Sequence, residues 1–113
     1  MENIFEMVNS IDKSQYEKTT TRYVYVIQFQ NGEIKIGMSK TPEQRIQKLA
    51  KQERTIVNKK YYKKFYDAPT IEKELLNKNK QFLNYGNEYF IGSNFKQIVE
   101  MIDKLYKSKG VKD

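Results

Sequence analysis

The sequence predicts an α/β (α+β) domain, a small three-stranded, mainly antiparallel sheet flanked by helices. Three observations carry that expectation. A dense β-forming run, Arg22 to Gln30 (RYVYVIQFQ), leads directly into Asn31-Gly32, the strongest hairpin signal in the chain, and a returning run, Glu33 to Met38 (EIKIGM). Beyond the hairpin, helix-like and strand-like segments alternate, so strands paired first are then interleaved with helices. The length of 113 residues leaves room for one domain and not two.

In chain order, Glu2 to about Lys18 has Ile4, Met7, Val8 and Ile11 at helical spacing, which predicts an amphipathic helix ahead of a β-branched connector at Thr19 to Thr21. Arg22 to Gln30 is apolar on both faces, as a central strand should be. Thr41-Pro42-Glu43-Gln44 announces a helix: Thr41 as N-cap, Pro42 in the first turn and Gln44 closing a capping box. That helix is expected to reach about Gln52 and to bury Ile46 and Leu49. Thr55 to Tyr66 mixes aromatics with Lys59, Lys60, Lys63 and Lys64 and reads as a third, bulged strand. Asp67 to Thr70 opens a second helix through Ile71, Leu75, Leu76 and Phe82, ended by Tyr85-Gly86-Asn87. Glu88 to Ile91 is a short extended piece, and Ser93 is the expected cap of a closing helix carrying Ile98, Val99, Ile102 and Leu105. The expected organisation is therefore an N-terminal helix and connector over 1–21, a domain over 22–106, and a frayed tail over 107–113.

Composition removes whole classes of chemistry. There are no cysteines, so disulfides and thiolate-bound zinc are excluded. There is no histidine either, which rules out a Ser-His-Asp triad and a histidine general base. Catalysis must rest on Tyr, Lys, Arg, Asp, Glu or a bound metal. The net charge of +7 is unevenly placed. Met1 to Thr21 is net acidic, with Lys13 and Lys18 against Glu2, Glu6, Asp12 and Glu17, so the remainder is more basic than the whole. That pattern suits a polyanion binder; a solubilising lysine surface is the plain alternative. No apolar run approaches a membrane span, and the first ten residues carry acids where a signal peptide needs bases, so the expected address is a cytoplasm.

Several short motifs fall in a suggestive order. Tyr23-Val24-Tyr25 lies on the first strand, Lys35-Ile36-Gly37 on the second, Arg45 on the following helix, and Glu72 in the run Ile71-Glu72-Lys73-Glu74-Leu75-Leu76. Ten residues separate Tyr25 from Lys35, and ten more separate Lys35 from Arg45. The pattern resembles the GIY-YIG nuclease superfamily, with Gly-Ile-Tyr and Tyr-Ile-Gly on its first two strands, an arginine on the next helix and a metal-binding glutamate on a later one. It looks closest to the phage and viral branch with Lys-Ile-Gly as second motif, whose closing acidic-aromatic-Phe motif resembles Glu88-Tyr89-Phe90. The resemblance spans Arg22 to Phe90. It departs at Tyr23, where the family has glycine, at Lys35, where it has tyrosine, and at Leu76, where this branch often has histidine.

The resemblance implies a metal-dependent endonuclease that hydrolyses DNA, with Tyr25, Lys35, Arg45 and Glu72 catalytic and Glu72 binding one weakly held Mg²⁺ or Mn²⁺ ion. It also implies residence in a host cytoplasm if the protein is of phage or viral origin. Asn84 and Asn87 are the candidates for the family's late asparagine. Elementary chemistry fits these residue types. Phosphodiester hydrolysis needs a positioned water and cationic stabilisation of the charge that builds on the non-bridging oxygens. Without histidine, Tyr25 or Lys35 must orient or deprotonate the water, and nearby positive charge must depress its pKa. Arg45 offers a planar fork for phosphate, and Glu72 a hard oxygen ligand. Lys59, Lys60, Lys63 and Lys64, with interleaved tyrosines, are expected to track the nucleic-acid backbone. The rival is a non-catalytic module that binds nucleic acid or inhibits a host protein; a self-contained nuclease of this size would dimerise or cut loosely.

Geometry supplies a test. A two-residue turn at Asn31-Gly32 puts Tyr25 and Lys35 on opposite sheet faces, whereas a three-residue loop with left-handed Gly32 puts them on the same face. The nuclease reading needs the latter, and it needs the four side chains to meet around one pocket.

Overall fold

A computed structural model of the chain describes residues 20–85, 89, 90, 92 and 94–112. The helix expected before residue 20, Asn87 and Ser93 lie outside them. Five strands and three helices follow in the order β1 (Arg22–Phe29), β2 (Ile34–Ser39), α1 (Pro42–Gln52), β3 (Val57–Phe65), α2 (Ala68–Lys78), β4 (Leu83–Tyr85), β5 (Tyr89–Phe90) and α3 (Phe95–Lys109). The sheet order is β3-β1-β2-β5-β4, and every pairing between neighbours is antiparallel. The α+β class is therefore as the sequence predicts, with β1 flanked on both sides.

The sheet has five strands rather than three. Ile34 pairs with Phe90 and Lys35 with Tyr89, which adds β5 beside β2, and β4 follows outside it. Strands of two or three residues are too short to show alternation in a sequence. Their presence also shortens the second helix. The buried Asn79 side chain donates to the Leu75 carbonyl at 2.8 Å, and α2 ends at Lys78 instead of running to Phe82; a single 3-10 turn, Lys80–Phe82, leads into β4.

The helix starts differ in detail from the sequence expectation. Thr41 makes no side-chain cap; Ser39 Oγ instead accepts from the Thr41 N–H at 3.0 Å, while Pro42 occupies the first turn as expected. Asp67 caps α2 through Thr70, and Asn94 caps α3 through the Gln97 N–H. Past Lys107, where fraying was expected, α3 continues to Lys109 and Gly110 bridges Phe65 of β3. The Val111 N–H donates to the Lys64 carbonyl at 2.8 Å, and the Tyr106 hydroxyl donates to the Val111 carbonyl. The bonds to β3 hold the segment against the sheet, and the Tyr106 hydroxyl ties it back to α3.

Strand alternation sorts the core onto two faces. Val24 and Val26 of β1, Ile34 and Ile36 of β2 and Phe65 of β3 meet Ile71 and Leu75 of α2 and Ile98 and Ile102 of α3. On the opposite face Tyr25, Ile27 and Phe29 meet Ile46 and Leu49 of α1. Burial of these side chains, worth about 1.5–3 kcal/mol each, is what fixes both helix layers on the sheet.

Candidate functional site

The hairpin decides which residues can cooperate. The Gly32 N–H donates to the Phe29 carbonyl at 2.9 Å, and the Phe29 N–H donates to the Glu33 carbonyl at 2.9 Å. Gly32 has φ +90°, a conformation that costs a residue without a Cβ little. The loop is thus Gln30-Asn31-Gly32, three residues with a left-handed glycine, and Asn31 Oδ1 braces it by accepting from the Glu33 N–H. Ile27 then pairs with Lys35, and Tyr25 with Gly37. Tyr25 and Lys35 consequently share the face covered by α1.

On that face the packing is close. A Cβ at Gly37 would lie well inside van der Waals contact of the Tyr25 hydroxyl, so only glycine leaves room for the ring. Tyr25 is 1% and Lys35 2% exposed. The Lys35 ammonium sits 4.6 Å from the centroid of the Tyr89 ring, and the Tyr89 hydroxyl donates to Glu53 Oε1 at 3.0 Å. Arg45, half-buried, stands in the first turns of α1 on the same side of the sheet.

Glu72 does not join them on this face. It is half-buried on α2, whose Ile71 and Leu75 pack on the opposite side of the sheet from Ile46 and Leu49 of α1. The expected meeting of all four side chains around one pocket therefore has no counterpart in the layer arrangement. The physical reason is the connection: α1 crosses one face between β2 and β3, and α2 leaves β3 onto the other. Both helices nevertheless begin at the same end of the sheet, after the C-terminal ends of β2 and β3. Among the described residues no group of three or more carboxylates or other ligands is placed to hold a metal ion. A lone glutamate fits only an ion that keeps most of its waters and shares its remaining ligands with a phosphate.

The four lysines of β3 divide between the faces. Lys60 and Lys64, opposite Ile27 and Tyr23, lie on the α1 side, while Lys59 and Lys63, opposite Gln28 and Val24, lie on the α2–α3 side. Lys59 and Lys63 approach rings of α3, at 5.9 Å from Phe95 and 5.1 Å from Tyr106. They cannot all face one ligand. Asn84 falls on β4, at the far edge of the sheet from β3.

Sequence reasoning missed a pair of tyrosine–carboxylate contacts that pin β3 from both sides. The Tyr62 hydroxyl donates to Glu43 Oε1 of α1 at 2.7 Å, and Lys60 donates to Oε2 of the same carboxylate at 2.7 Å. The Tyr61 hydroxyl donates to Asp103 of α3. Burial, and then the bond to Asp103, push the Tyr61 phenol up to about 12. The bond to Glu43 raises the Tyr62 phenol, while the bonds from Lys60 and Tyr62 hold the Glu43 carboxyl below its ordinary value. The signal was present in the doubled tyrosine: neighbours on a strand point to opposite faces, so each hydroxyl needs its own partner.

The comparisons with known proteins correct the family resemblance. No curated protein and no solved structure matches the chain. The family model that does match, over residues 22–106, is that of the T5orf172 domain and not a GIY-YIG model. Short aromatic and apolar triplets on paired strands arise from burial on two faces alone, so their order did not single out the right family. With the match running from the start of β1 into the last turns of α3, the chain belongs to the T5orf172 domain family.

Proposed function

We propose that this domain binds DNA along its backbone and hydrolyses phosphodiester bonds in a divalent-metal-dependent reaction. The observation that carries the reading is the three-residue hairpin loop, because its register aligns Tyr25 and Lys35 on the face where α1 presents Arg45. Arg45 supplies the planar fork that matches two phosphate oxygens and stabilises the charge developing there. Tyr25 or Lys35 orients or deprotonates the attacking water, since the chain has no histidine to do so. A Mg²⁺ or Mn²⁺ ion held by Glu72, whose helix begins at the same end of the sheet as α1, would neutralise charge on a phosphate bound across that end and lower the pKa of a bound water. Lys60 and Lys64 extend the cationic surface on the α1 side, whereas Lys59 and Lys63 reach a strand that wraps past the sheet edge.

A second reading, binding without cleavage, draws support from two observations. Glu72 rides on the helix of the opposite face, and Tyr25 and Lys35 are almost wholly covered. In that case the same basic surface serves recognition alone, as a partner-binding or inhibitory module.

Plasmid cleavage with Mg²⁺ or Mn²⁺ separates the two. Arg45→Ala and Glu72→Ala are each expected to lower the cleavage rate by about a hundredfold or more. Strong, salt-sensitive DNA binding with no cleavage by the native chain selects the second reading. Equal cleavage by all three proteins rejects the proposed site.

A further inference from the structure

At the end of the sheet where β1 begins and β2 and β3 finish, the register sets Tyr23 beside both Lys64 and Ser39. Residues from three separated stretches meet there around a hollow of about 380 Å³, lined by Thr21, Arg22, Tyr23, Lys40 and Lys64. That size lies at the small end of ligand sites, about 300–1,000 Å³, and suits a single nucleotide. Three of the five lining residues are cationic, and none of the described lining residues is a carboxylate. Among the described residues, Glu43 lines the adjoining hollow that shares Tyr23 and Lys40. Both of its oxygens are already engaged, one by Lys60 and the other by Tyr62. It therefore does little to neutralise Arg22, Lys40 or Lys64.

Arg22 and Lys64 line the hollow from opposite faces of the strand end, and Lys40 from the loop after β2. Three like charges around one recess repel each other, and a ligand of matching charge relieves that repulsion. An internal phosphodiester carries one negative charge. A terminal phosphomonoester carries about −1.5 to −2 at neutral pH and presents three strong acceptor oxygens. The arginine fork and two ammonium groups match the second better. Tyr23, half-buried, adds to the lining a ring on which a terminal base can stack, held edge-on to Tyr62 at 5.5 Å and with the Lys64 ammonium 5.8 Å from its centroid.

We infer that this hollow recognises the phosphorylated end of a nucleic-acid strand, with Arg22, Lys40 and Lys64 holding the phosphomonoester and Tyr23 the adjacent base. The inference rests on the nucleic-acid reading above but not on cleavage. It assigns a role to residues outside the proposed hydrolytic set, and it places strand ends, rather than uninterrupted backbone, at this end of the sheet.

Fluorescence anisotropy with the full chain, without divalent metal, tests it on short single-stranded DNAs carrying a 5′-phosphate, a 3′-phosphate or hydroxyls at both ends. One phosphorylated end is expected to bind about tenfold more tightly than the hydroxyl-ended strand. Lys40→Gln and Lys64→Gln should each remove that preference, and Lys104→Gln, on the exposed side of α3, should leave it intact. Equal binding of all three DNAs, or a preference that survives both substitutions, overturns the inference. If all three strands bind equally and with steep salt dependence, end recognition falls and the nucleic-acid reading stands; if none of the strands binds, both fall.

Discussion

The two faces of the sheet are built on different terms. Among the described residues, eleven buried apolar side chains, from Val24 to Ile102, join the sheet to α2 and α3, and a buried polar side chain near them, Asn79, is satisfied by the Leu75 carbonyl. On the α1 side the described core has five side chains, Tyr25, Ile27, Phe29, Ile46 and Leu49, and Glu33 and Lys35 are buried there too, at 7% and 2% exposure. Burying ionisable groups costs free energy that apolar side chains of similar size would not. A face that holds the fold together has no reason to carry that cost in full, and on the α2–α3 face the described ionisable groups, Tyr61 and Asp103 among them, are at most half-buried. The difference teaches where to look for function: on the side where stability is given up.

The sharpest way to break this comparison is to truncate the large core. Leu75→Ala should lower the unfolding free energy by about 2–5 kcal/mol, read by denaturant titration. Any loss of DNA binding should track the unfolded fraction and disappear under conditions where the variant is fully folded. Lys35→Met tests the other face. Its stability should stay within about 1 kcal/mol of the native chain or rise above it, while cleavage is lost. Severe destabilisation by Lys35→Met would instead make Lys35 a structural group and erase the contrast.

The smallest effect concerns how β3 is pinned. Partial burial, and then the bond to Asp103, push the Tyr61 phenol up to about 12. A phenol raised in the folded state contributes stability that is complete below its ordinary pKa near 10 and is lost as pH rises through about 12. Asp103→Asn should therefore lower the Tyr61 titration towards 10, followed by ultraviolet absorbance, and reduce stability between those values. The Glu43 carboxyl has the opposite sign. Held below 4.5, it contributes stability above that pH and loses it as the solution is acidified through its folded value. Being exposed, it should shift the acid limb only slightly.

Much of this protein is local and was written in the chain. β1 and β2 follow from β-forming residues around Asn31-Gly32, and α1 from Pro42 and the spacing of Ile46 and Leu49. The absence of cysteine and histidine restricts the chemistry without any coordinates. The sequence also stated the hairpin's two registers, but choosing between them took the backbone, because Gly32 can serve either turn and only φ +90° with the Phe29–Glu33 bonds selects the three-residue loop. β4 and β5 were hidden because pairs of so few residues are stabilised by neighbours distant in sequence and not by their own propensity. The same holds for the site. Spacing along the chain aligned Tyr25, Lys35, Arg45 and Glu72, but the face each helix covers depends on how the chain crosses the sheet. That crossing is a tertiary event, and it put the helix that carries Glu72 on the other face of the sheet from α1.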